Sequence, residues 1–210
     1  ITQEPIPDQI RNLYTTGVTS MVRTFFESYN FNEDISGWNV SGVENMSGMF
    51  QGASIFNKDI GGWNVSNVNN MNSMFQDASG FNQPLNNWVV SQVQDMSGMF
   101  QGANSFNQDI SGWDVSGVTY MNSMFYDATS FNQPLNNWVV SEVQDMSGMF
   151  RDATSFNQPL YNWNVTGVTD MANMFENASS FNQDIRHWNV SNVNSAQDMF
   201  TNSGLTLNGG

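Results

Sequence analysis

Apolar and polar positions recur along this chain with a period of 25 residues. Trp stands at Trp38, Trp63, Trp88, Trp113, Trp138, Trp163 and Trp188. Phe31 and Phe50 begin two further columns, which run through Phe181 and Phe200. Within residues 31–55, Ile35, Trp38 and Val40 are spaced by three and then two. That spacing predicts a short strand with Trp38 and Val40 on one face and Asn39 on the other. Val43, Met46, Met49, Phe50 and Ala53 then predict one apolar stripe on a helix of about ten residues, partly 3₁₀. Ser41, with Ser or Thr at the same position in every copy, is placed to cap it. Ser41 with Glu44, Ser91 with Gln94 and Ser141 with Gln144 have capping-box spacing. Gly48, Gly98 and Gly148 lower the propensity of the segment by about 1 kcal/mol each, so packing must hold it.

A fixed period in this range signals a repeat whose copies bury their apolar faces against one another. The expected fold is α/β: a leucine-rich-repeat-like solenoid with a parallel sheet on one side and short helices on the other. At a strand spacing of about 4.8 Å the eight coils would form a rod roughly 40 Å long. Residues 31–204 hold the seven clear repeats. Residues 1–30 contain a worn copy, with Ile6, Ile10 and Leu13 in the Phe, Ile and Trp columns, and read as an N-terminal cap. Residues 205–210 read as a tail or linker. The start at Ile1 rather than Met reads as a processed or excised fragment. Asn follows Phe in every copy, from Asn32 to Asn182, and predicts a stacked asparagine ladder at a corner.

Composition narrows the function. Aromatic residues are 13% of the chain, and each Trp or Phe buries roughly 150–250 Å², which suffices for a core. The net charge is -14, with only Arg11, Arg23, Lys58, Arg151 and Arg186 basic. Nucleic acid and anionic lipid are therefore disfavoured as partners. No apolar run reaches the length of a membrane span, so membrane insertion by these residues is not expected. Cysteine is absent, which removes disulfides and thiolate metal sites.

The string FNxDIxxWxVSxVxxMxxMFxxA closely resembles the 25-residue repeat of BspA-like leucine-rich-repeat surface proteins, the lipoprotein-type repeat of bacterial surface proteins. The resemblance covers about residues 14–203. It implies a parallel-stranded α/β solenoid on the outside of a microbial cell, with roles in adhesion and protein binding and no catalytic motif. Neither a lipobox nor a sorting signal occurs, so the mode of anchoring stays open.

The candidate binding face is the outward column of the expected sheet: Asn39, Asn64, Val89, Asp114, Val139, Asn164 and Asn189, with His187 beside it. Val89, Asp114, Val139 and His187 interrupt its Asn/Gly pattern, as a binder rather than a stalk would require. The expected function is an extracellular, non-catalytic module for adhesion to a host or neighbouring-cell protein or glycan. The alternative is a stalk that presents another domain. End-to-end self-association through an exposed C-terminal coil is a further open alternative. With one histidine and no cysteine, nucleophilic catalysis lacks parts, and the pair Asp109/Asp114 reads as solvated turn residues. No cofactor is expected. The Met columns Met46/Met49 through Met171/Met174 read as core filler. A structural calcium at Asp59 or Asp109 is left open, though no EF-hand string occurs. Thr residues are scattered over columns, which excludes an ice-binding face.

Overall fold

A computed structural model describes Ile10 and residues 13–205. Each 25-residue repeat forms one coil, and successive coils stack in fixed register. The expected sheet and helices are not what builds it. Among the described residues there is no helix and no extended strand. Isolated parallel bridges run instead from Ser20↔Asn45 through Asn70, Asp95, Tyr120 and Asp145 to Asp170↔Ser195. The α/β solenoid expectation fails on both counts. The coil-to-coil pairing lies at the Asn45 column, inside the segment expected to be helical, and the Trp38–Val40 segment makes no backbone-to-backbone bond to a neighbouring coil among the described residues.

The reason lies in how residues 44–53 spend their backbone donors. The amides of Met46, Gly48, Phe50 and Gly52 donate to the carbonyls of Asn70, Asn72, Met74 and Gln76 of the next coil, at 2.7–2.9 Å. Met49, Gln51 and Ala53 donate within the coil to Met46, Gly48 and Phe50, at 2.9–3.1 Å. Every second peptide thus lies along the stack, and those between close i→i+3 turns. A helix would turn all of these donors inward to i−4 carbonyls.

The alternation demands left-handed backbone at two positions per coil. Gly48 has φ 60° and Gly52 φ 76°, and their counterparts Ser73, Asp77, Asn173 and Asn177 lie at 54–58°. Gly, Asn and Asp bear that conformation best, and they dominate both columns. Gly48 is therefore a requirement of the turn ladder rather than a weak point in a helix. Ser41 does not cap a helix either. Its N–H and hydroxyl both donate to Asn39 Oδ1, at 3.1 and 2.7 Å.

The apolar columns all point inward. Ile35, Val43, Met46, Met49, Phe50, Ala53 and Phe56 have no exposed surface, and Trp38 is buried. The rings of the Phe50 column stack from coil to coil with centroids 5.4–5.8 Å apart, from Phe25 to Phe200. Phe50 also stacks on Phe56 of its own repeat at 4.1 Å. Offset stacks at these distances add to the burial of the rings themselves.

The far side of the coil is tied by side chains. Each indole N–H reaches a carbonyl of the preceding coil: Trp63 to Ile35, Trp113 to Leu85 and Trp163 to Leu135, at 3.2, 3.0 and 2.8 Å. Trp38 makes the same bond to Ile10, 2.8 Å. The asparagine ladder forms: Asn57 N–H donates to Asn32 Oδ1, Asn82 to Asn57 and Asn107 to Asn82, at 2.9–3.0 Å. Ile6 and residues 206–210, to which the sequence assigned cap and tail roles, lie outside the described residues.

Candidate functional site

The turn strip on the indole side carries the residues singled out from the sequence. Asn39, Asn64, Val89, Asp114, Val139, Asn164 and Asn189 are all exposed and follow one line along the stack, one per coil. His187 stands exposed in the neighbouring column. They sit between two tight turns, closed by Trp38 N–H to Ile35 O and Val43 N–H to Val40 O, rather than on a sheet. Tyr14 continues the line at its start and is 83% exposed. The buried columns by which the worn copy is legible do not mark Tyr14.

Most of these side chains hold their own loop. Asn64 Oδ1 accepts from Ser66 N–H, Asp114 Oδ1 from Ser116 N–H and hydroxyl, and Asn189 Oδ1 from Ser191 N–H. The Asp34 column does the same one turn earlier: Asp59 and Asp109 each accept from the backbone two residues on, at 2.9 Å. These Asx turns explain why Asn, Asp and Ser crowd the sequence. They also explain part of the acidity, because an Asp can stand wherever an Asn caps a turn. Hydrogen bonds from Ser111 and Ser116 hold the carboxyls of Asp109 and Asp114 below the usual carboxylate range. Asp184 is held far below it by Arg186, which donates from Nε and a terminal nitrogen at 3.0 and 2.7 Å. Across the coil, partial burial and the Asp127 carboxylate push Asp77 the other way. Among the described residues no group of three or more His, Cys, Asp or Glu is placed to share a metal ion.

Val89 and Val139 cannot cap, and the strip changes character where they stand. Around Val139 it opens into a hollow of about 240 Å³, lined by Asn136, Asn137, Trp138, Val139 and Val140 of one coil and Asn162 and Asn164 of the next. Beyond it Tyr161, 61% exposed, leans onto the ring of His187 with centroids 4.0 Å apart. His187 Nε2 in turn meets the carbonyl of Tyr161.

A second, smaller hollow of about 160 Å³ lies on the turn-ladder side, among Ser123, Tyr126, Ser147, Gly148, Arg151, Ala172 and Asn173. Arg151 is neutralised there. Its Nε lies 3.0 Å from Glu176 and 3.5 Å from Asp152, as ion pairs off the line of a hydrogen bond, and its guanidinium covers the Tyr126 ring at 5.4 Å.

Coils of 25 residues with a periodic aromatic core define a tandem-repeat protein. The chain belongs to the family described as Mycoplasma protein of unknown function, DUF285, whose model matches twice, over residues 2–113 and 95–208. None of the curated proteins matches it.

Proposed function

We propose that this chain is a non-catalytic binding module that works outside the cell, in adhesion to a protein or a glycan of a host or neighbouring cell. The observation that carries the reading is where irregularity gathers. Val89, Asp114, Val139, Tyr161 and His187 interrupt the columns of the exposed turn strip, while the buried columns repeat with little change. A surface free to vary on a rigid repeated frame is what recognition uses in repeat proteins. The repeat string's likeness to BspA-like surface proteins supports the same reading and the extracellular setting. A net charge of -14 argues against nucleic acid as the partner.

A stalk is the second reading, favoured by the unbroken Phe stack from Phe25 to Phe200, which would stiffen a rod. Binding of the purified chain to arrays of matrix proteins and glycans separates the two. A specific hit lost in the Asp114→Arg/His187→Glu double variant supports a binder using this strip. No hit on either array favours the stalk.

A further inference from the structure

We infer that the hollow between the Trp138 and Trp163 coils is a binding site for a neutral carbohydrate. The inference rests on the reading of the strip as a binding face and gives it a ligand class. No residue lining the hollow is charged, although the chain carries a net charge of -14. An anionic ligand would meet a repulsive field, and a cationic one would find no carboxylate among the lining residues.

What the hollow does present is amides. Asn136 Oδ1 accepts from Asn162 N–H at 2.8 Å, and Asn164 Oδ1 from Thr166 N–H and hydroxyl at 3.2 and 2.8 Å. Both side chains are held by their oxygens, which leaves both Nδ2 groups as donors already restrained in place. The side-chain amides of Asn137 and Asn162 bond to nothing among the described residues and offer both donor and acceptor. Hydroxyls placed around a sugar ring match such a set. Donors already held in place lose little freedom on binding. Val139, 56% exposed, supplies an apolar patch for the C–H face of the ring. Tyr161 is turned onto His187 of the following coil and does not line the hollow.

The chain contains its own control. Residues 82–91 repeat the string NQPLNNWVVS of residues 132–141, so Asn86, Asn87 and Val89 reproduce one wall. The opposing coil there carries Gly112 and Asp114 where the hollow has Asn162 and Asn164. The Asn162→Gly/Asn164→Asp double variant therefore installs residues the fold already accepts, and an unchanged melting curve confirms it.

The test screens the 210-residue chain on an array of neutral oligosaccharides and follows the hits by NMR of the Asn side-chain amides. The expected result is a hit that shifts Asn136, Asn137, Asn162 and Asn164 and weakens at least tenfold in the double variant. Shifts confined to the Arg151 side, undiminished binding in the double variant, or binding of charged glycans alone overturns the inference. Capture of a protein or peptide through the strip with no neutral sugar bound also overturns it but leaves the proposed function standing. No binding of any kind contradicts both.

Discussion

The two sides of each coil are joined to their neighbours by different means. On the turn-ladder side, backbone amides from Met46 to Gly52 donate to the next coil at every second residue. On the indole side, the ties are the Trp N–H bonds and the asparagine ladder. Backbone bonding ignores side-chain identity but fixes φ, so that side constrains residue type through conformation, as the Gly48 and Gly52 columns show. Side-chain bonding fixes a few residues and frees those between them. Surface columns vary on both sides: those of Asn45 and Gln51 along the ladder, and columns 36, 37 and 39 with their counterparts on the indole side. The hollow at Val139 lies on the indole side.

The largest effect is expected at the core that both sides share. Phe100→Ala removes a ring stacked on Phe75, Phe106 and Phe125 and should cost about 3–5 kcal/mol, read from denaturant unfolding. On the ladder side, Gly102→Val should cost about 2–3 kcal/mol, since φ is 65° and a Cβ would press on Asp77 Oδ1. On the indole side, Trp88→Phe keeps most of the ring volume but removes the coil-to-coil bond to the Ile60 carbonyl, which Trp63 N–H still occupies, and should cost about 1–2 kcal/mol. Val89→Asn at the exposed column should change stability by no more than about 1 kcal/mol, toward greater stability, by giving Ser91 the cap that Asn39 gives Ser41.

The smallest effect is one of pH. Asp109 and Asp114 have folded pKa values below their unfolded ones. Their contribution is therefore full above the ordinary value of about 3.9 and is lost as pH falls through the folded values. Asp77 is shifted upward, so its contribution runs the other way: it favours folding in acid and fades as pH rises. In Asp114→Asn the acid loss of stability should be shallower than in the wild type, seen in melting temperature against pH.

The buried columns were legible in the sequence because large apolar side chains at a fixed period have few places to go but a shared core. The inward and outward senses of Trp38, Asn39 and Val40 were legible too. The helix was misread because apolar intervals of three, from Val43 to Met46 to Met49, suit both a helix and successive i→i+3 turns. What separates the two is the pair of columns four apart, Gly/Ser/Asn at Gly48 and Gly/Asp/Asn at Gly52, both of which tolerate left-handed backbone. The strand was misread because alternation reports which way side chains point, and pairing depends on where backbone donors go. The line of exposed residues could be seen from spacing alone. The hollow could not, because it depends on how successive coils set Val139 against Asn162 and Asn164 and on which Asn oxygens are already engaged.

Amide hydrogen exchange tests the asymmetry of the two sides most directly. The amides of Phe75, Phe100, Phe125 and Gly102 donate to the next coil from a closed ladder, and should exchange only through global unfolding. The backbone amides of Asn87 and Val89 have no acceptor among the described residues and should exchange faster by orders of magnitude. Equal protection on the two sides, or a protected run from Val93 to Ala103 with the i→i−4 pattern of a helix, would contradict a stack held by backbone on one side and by side chains on the other.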